Sequence, residues 1–192
     1  GVETQLADAG ITFDRIAGGT RYETSYLIGL ELNQLVDFDT AFVVSGENYP
    51  DALAAGVPAA RMYSPILLTG KSNVPNPTLK GLDDWGVDKA YVIGGELVID
   101  NNVFITLARN HNVERVAGAN RYATSVLIAD QFMKDAAGAA FTSGENYPDA
   151  LTGGVYAAKQ NYVMLLVNEQ GVPAEVAQYV TDNNIYRGII FG

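Results

Sequence analysis

The chain has 192 residues, 48% of them hydrophobic, no cysteine and a net charge of −10. It is long enough for one large domain or two small ones with real cores, and no run approaches the ~18 apolar residues of a membrane span. The absence of cysteine excludes disulfides and thiolate metal sites, and the acidic field disfavours nucleic acid and anionic lipid as partners.

In chain order, GVETQLADAG (1–10) lacks the basic and apolar regions of a secretory leader and reads as a helix. FDRIA (13–17) predicts a short strand. RYETSYLIGLELNQL (21–35) spaces Tyr22, Tyr26, Leu27, Leu30 and Leu35 near a helical period. TAFVVSG (40–46) predicts a buried strand ending at Gly46, and Pro50 suits the first turn of the helix that follows. SPILLTG (64–70) is another apolar strand. PTLKGLDDWG is a helix closed by Gly86, DKAYVIGG a fourth strand and LVIDNNVFITLARNH a last helix.

The same order then repeats. RIAGGTRYETSYLIG (15–29) aligns with RVAGANRYATSVLIA (115–129), and SGENYPDAL occurs at both 45–53 and 143–151. The period suits a small domain rather than a solenoid unit. Three segments follow: 1–12, read as the closing helix of a preceding repeat; 13–111, the first copy; and 112–192, a second copy without its last helix. Alternatively, helix 1–10 supplies that missing helix. Uninterrupted apolar strands alternating with helices imply parallel sheets covered on both faces. The expected fold is α/β: two tandem, doubly wound, flavodoxin-like modules of about four strands each.

In such sheets ligands bind beyond the carboxyl ends of the strands, where both doubled loops fall. Four of the seven arginines, Arg15, Arg21, Arg115 and Arg121, lie in the doubled R-x-x-G-x-x-R-Y frame. Arg21 and Arg121 open helices and suit a carboxylate or phosphate. The other reading is structural, with Asp51 and Asp149 at the next helix start bridging to these arginines. Thr24, Ser25, Thr124 and Ser125 suit backbone satisfaction in a first turn, and Gly46 and Gly144 suit tight turns. Glu47 with Asp51, and Glu145 with Asp149, form the acid–base set of an enzyme reading. GKS at 70–72 is not a P-loop, because Pro65 stands where that motif needs glycine. The single histidine, His111, has no companions for zinc. No cofactor or metal is expected.

The ordered set R-[IV]-x-G-x-x-R-Y-x-T-S, S-G-E-N-Y-P-D-A-L, PILLT and Y-V-I-G-G resembles the cell wall binding repeat 2 family over essentially the whole chain. The resemblance implies a non-catalytic module. Such a module anchors an extracellular, surface-layer or secreted protein of a Gram-positive bacterium to an anionic, teichoic-acid-like wall polysaccharide. It implies repeats packed about a pseudo-threefold axis, with a further repeat or a second chain completing the module. It also implies a ligand role for Pro65, Ile66, Leu67 and Leu68, the family's PILL motif. The second copy reads Val163, Met164, Leu165 and Leu166 there and lacks the proline. Arg21, Arg121, Tyr22 and Tyr122, with Tyr49 and Tyr147 nearby, are the expected grip; Arg15, Arg115, Asp51, Asp149, Gly46 and Gly144 are the expected structural set. An enzyme acting on wall glycan or peptide and a structural spacer in a surface array are the competing readings.

Overall fold

The computed structural model describes residues 1–192. After helix α1 (Val2–Asp8), the first module runs α2 (Arg21–Leu35), β1 (Thr40–Ser45), α3 (Pro50–Arg61), β2 (Ile66–Thr69), α4 (Asn76–Asp84), β3 (Lys89–Ile93) and α5 (Asn101–Ala108). Then come β4 (Asn112–Val116), α6 (Arg121–Phe132), β5 (Gly138–Ser143), α7 (Pro148–Gln160), β6 (Tyr162–Val167), α8 (Ala174–Asp182) and β7 (Gly188–Phe191). Two all-parallel sheets result, ordered β2-β1-β3-β4 and β6-β5-β7.

Local chemistry accounts for these boundaries. Every residue of β1 is buried, as a strand covered on both faces requires. The Thr20 side chain accepts the Glu23 N–H at the start of α2, and Asn120 accepts the Ala123 N–H at the start of α6. Pro50 and Pro148 occupy first-turn positions, where the missing N–H costs nothing. Gly86, with φ +61°, ends α4 in the left-handed conformation.

One face of the first sheet packs Val43, Leu67 and Val92 against Leu82, Trp85 and Leu107, under α2, α4 and α5. The other face packs Phe42 and Val44 against Ala54 and Ala55 of α3 and Ile128 of α6. Leu53 and Val57 of the same α3 also enter the core of the second sheet. Helices α3 and α6 therefore serve both modules and fix them to each other. Each large side chain buried in this way stabilises the fold by about 1.5–3 kcal/mol.

Three expectations are corrected. FDRIA (13–17) is not a strand; residues 11–18 carry no regular structure and are almost wholly exposed. Its counterpart in the second copy, β4, pairs backwards with β3 (Lys89 opposite Asn112, Ile93 opposite Val116) and completes the first sheet. The strand that opens a copy thus belongs to the sheet of the copy before it. A strand needs a partner edge, and no edge lies beside residues 13–17. Second, the sheet of the second copy has three strands, with one edge of β7 unpaired. Third, α1 does not close the second copy: none of its residues is buried, and its Glu3 pairs with Arg15.

Candidate functional site

The doubled loops lie at the carboxyl ends of β1 and β5, and the two copies build them alike. The Arg21 guanidinium donates to the carbonyl of Gly46, and that of Arg121 to the carbonyl of Gly144. The Tyr22 and Tyr122 rings pack over the same glycines. A Cβ on Gly46 would stand 2.7 Å from Cε1 of Tyr22, and one on Gly144 3.0 Å from Cε1 of Tyr122. These glycines are required by close approach of the arginine and tyrosine side chains, not by a left-handed turn: neither has positive φ.

The hydroxyls satisfy backbone groups, as their positions suggest. Thr24 and Thr124 accept the N–H of Gly18 and Gly118 and donate to the carbonyls of Thr20 and Asn120. Buried Ser25 and Ser125 accept the N–H of Leu68 and Leu166, each at 3.2 Å, tying the second strand of each copy to the helix that bears the arginine. Glu47 accepts the Lys71 N–H and is not among the residues lining the cleft that Asp51 lines.

Asp51 is buried, but its arginine is not Arg21. Burial raises its pKa, and the opposing pull comes from the Arg121 guanidinium and the Thr124 hydroxyl, both in the other copy. Oδ1 is sealed from solvent with no hydrogen-bond donor. Asp149, the equivalent carboxylate, lies beside Gly192 at the end of β7. Arg115 reaches across the same junction, donating to the carbonyls of Gly94 at 2.7 Å and Ile99 at 2.9 Å, over the Phe104 ring. Burial lowers its pKa, against the charges of Glu96 and Asp100. Arg15 has no such acceptor and pairs with Glu3. The sequence does not reveal that these contacts join one copy to the next: Asp51 and Arg121 lie 70 residues apart, Arg115 lies 21 and 16 residues from its acceptors, and nothing local marks them.

Of the PILL residues, Leu67 is fully buried. Pro65, Ile66 and Leu68 line a groove of about 630 Å³ together with Arg21 and Ile28 of α2. The face holding that groove is covered in the second copy. Ile28 is 55% exposed, whereas its counterpart Ile128 is 2% exposed, packed on α3. Met164 and Leu166 are correspondingly buried. A second, apolar groove of about 360 Å³ runs between α3 and α7, among them Leu53, Gly56, Ala150, Leu151 and Val155. At its end the Tyr49 and Tyr147 rings meet at 5.3 Å, and the Tyr49 hydroxyl donates to the Glu145 carbonyl.

Comparison with known proteins accounts for the doubling. Residues 15–104 and 115–192 match the family described as Cell wall binding domain 2 (CWB2). The chain is 28% identical over 188 residues to an N-acetylmuramoyl-L-alanine amidase, LytC, of Bacillus subtilis (strain 168), covering 98% of this chain and 37% of that protein. It is 32% identical over 186 residues to an amidase enhancer of the same organism, covering 96% of this chain and 25% of the relative. Two solved structures share the fold: Cwp6 from Clostridium difficile, with TM-score 0.82 and 24% identity over 94% of this chain and 30% of that one, and Cwp8 from the same organism, with TM-score 0.80 and 23% identity over 100% and 33%. The chain thus spans between a quarter and two fifths of its relatives' lengths. With two doubly wound modules that each build the same arginine corner, the chain belongs to the cell wall binding domain 2 family and carries two tandem copies of its repeat.

Proposed function

We propose that this chain is the non-catalytic part of a surface or secreted protein and holds that protein on an anionic, teichoic-acid-like wall polysaccharide. The observation that supports the reading is the doubling of the arginine–tyrosine corner at the strand ends, in a chain whose overall charge of −10 would otherwise repel an anion. Two equivalent corners suit a repeating polymer, since the second contact is made at high effective concentration. Each guanidinium already spends one N–H on a glycine carbonyl, which orients the rest of its fork and leaves donors for a phosphate or carboxylate. Pro65, Ile66 and Leu68 act in this reading by shaping the surface beside Arg21, and Leu67 by anchoring the strand.

A further repeat, or a second chain, completes the module. The junction between the two copies defines what a partner must offer, and both outer faces of this chain repeat its halves. By the register of β3 with β4, residues 12–16 would pair with the open edge of a β7-like strand, placing Asp14 diagonal to Arg187 as Glu114 lies diagonal to, and ion-paired with, Lys89. Arg21 and Ile28 wait for an α3-like helix, and Asp149 waits for an arginine.

The test is co-sedimentation with purified wall polysaccharide, intact and stripped of phosphate, across a salt series. Binding of the intact polymer that weakens with salt is expected. A folded Arg21→Ala, Arg121→Ala double variant that binds as tightly as the parent would overturn the arginine grip.

A further inference from the structure

The helix pair α2 and α4 of the first copy corresponds to α6 and α8 of the second, with α8 starting 98 residues after α4. In the first copy a lysine bridges the pair. Lys80 Nζ donates to the Tyr26 hydroxyl at 2.8 Å and to the Asp84 carboxylate, and it stands 4.9 Å from the centre of the Tyr26 ring. The second copy has Gln178 in place of Lys80 and keeps the carboxylate as Asp182. It adds two more: Glu175, where the first copy has Pro77, and Asp130, where the first copy has Leu30.

A groove of about 560 Å³ lies between α6 and α8, and Asp130, Glu175 and Asp182 line it with no basic side chain among them. Two of the carboxylates have neutral partners: Gln178 donates to Asp182, and Asn120 to Glu175. Asp130 is exposed and takes part in none of the ion pairs. Tyr179 supplies the hydroxyl. It is only 7% exposed and lines the groove, and its carbonyl, not its hydroxyl, makes its side-chain hydrogen bond, with Asn183. Burial raises its pKa and the Asp130 charge adds to that, which sets the hydroxyl end towards Asp130. Gly81 stands at this position in the first copy, where a Cβ would meet Trp85 at 2.9 Å. Water can satisfy the hydroxyl, but it leaves three like charges uncompensated where the first copy holds a lysine. No group of three acidic side chains is placed to hold a metal ion. A cation with one charge and three N–H donors suits the groove instead. Arg121 does not line it: Asp130 lies nine residues further along α6, about 14 Å by the helical rise, so an anion at the corner and a cation in the groove do not compete.

We propose that the α6–α8 groove binds a primary ammonium group carried by the wall polymer, held by the Tyr179 hydroxyl and the Asp130 and Asp182 carboxylates as Lys80 is held by Tyr26 and Asp84. The first copy has no such site, because Lys80 fills it from within. The inference rests on the polymer-binding reading and deepens it: the polymer carries positive groups as well as negative ones, and the second copy grips both.

The experiment titrates the chain by calorimetry with oligomers of glucosamine and with their N-acetylated forms, at about pH 6, where amino groups of this kind are protonated. The glucosamine oligomers are expected to bind and the acetylated ones not to. Asp130→Asn and Asp182→Asn should each weaken binding about threefold, the loss of one exposed ion pair. Gln178→Lys should abolish it by supplying the ammonium from within, as Lys80 does. Asp8→Asn, which removes an exposed charge from α1, should leave binding unchanged. An equal loss there would show a general attraction to an acidic chain and overturns the proposal. Binding that persists in Gln178→Lys overturns it too, as does failure of the glucosamine oligomers to bind the parent. Wall polysaccharide is then sedimented with the chain before and after N-acetylation. Sedimentation that acetylation weakens, in the parent but not in Asp130→Asn, supports the ammonium site. Sedimentation that acetylation leaves unchanged, while still dependent on Arg21 and Arg121, overturns the ammonium site and leaves the anionic grip standing. Oligomer binding without any sedimentation of the polymer overturns the polymer reading and, with it, the source of the ammonium.

Discussion

At the scale of single residues, Gly46 and Gly144 are the most constrained positions in the doubled loop. A methyl group on Gly46 would meet the Tyr22 ring at 2.7 Å and the Arg21 side chain at 3.3 Å. Gly46→Ala is expected to lower stability by about 1–3 kcal/mol, the usual penalty for overpacking, as read by chemical denaturation. Asp51 gives a pH prediction. Its folded-state pKa lies above the ordinary 3.8 because burial disfavours the charge. The stability it contributes is therefore fully present below about pH 4 and is lost as the pH rises through the raised folded value. Asp84 and Glu114 act in the opposite direction: hydrogen bonds from Lys80 and Lys89 lower their pKa values, so their contributions are lost as the pH falls. Comparing the parent with Asp51→Asn isolates the first effect. The variant should gain stability relative to the parent as the pH rises above about 4; a gain in the other direction would remove the burial argument.

At the scale of elements, two segments of nearly the same sequence take different states. RVAGANRY begins in β4, which is paired along β3, whereas RIAGGTRY begins in exposed chain. Backbone hydrogen bonds, not propensity, separate them. Hydrogen exchange should find the amides of 112–116 protected and those of 12–16 exchanging at the rate of open chain. Protection of 12–16 should appear only when a partner supplies a sheet edge. The α3–α7 contact is the second element-scale feature. Tyr49→Phe keeps the aromatic pair but removes the hydroxyl that donates to the Glu145 carbonyl, a loss of about 0.5–1.5 kcal/mol in unfolding experiments.

At the scale of the whole molecule, the junction between the copies combines a strand ladder, the Arg115 contacts, Ile128 on α3 and the facing Asp51 and Arg121. The outer faces carry the unmatched halves of the same junction, so association through them would be heterologous, head to tail. Arg15, Ile28, Ile190 and Val155 are all exposed on these faces or beside them. Sedimentation velocity should detect concentration-dependent association of the chain, and Ile28→Glu should suppress it without unfolding either module. A parent chain that stays monomeric at all concentrations would mean that the open faces do not select one another.

The sequence by itself determined the α/β class, the parallel strands, the doubling and the capping of individual elements. Those features rest on local chemistry: uninterrupted apolar runs such as TAFVV, Pro50 and Pro148 at helix starts, and Gly86 at a helix end. Arg21, Arg121, Gly46 and Gly144 were equally legible, because repetition marked them. Only the tertiary structure decided which copy owns each strand and which carboxylate faces which arginine. FDRIA and its counterpart carry the same signal, yet one is β4 and the other is unpaired. Asp51 faces Arg121 and not Arg21, because the parallel crossover carries the start of each copy onto the sheet of the one before. A strand's fate and a buried charge's partner are long-range properties, set by what packs alongside, and no local pattern of residues encodes them.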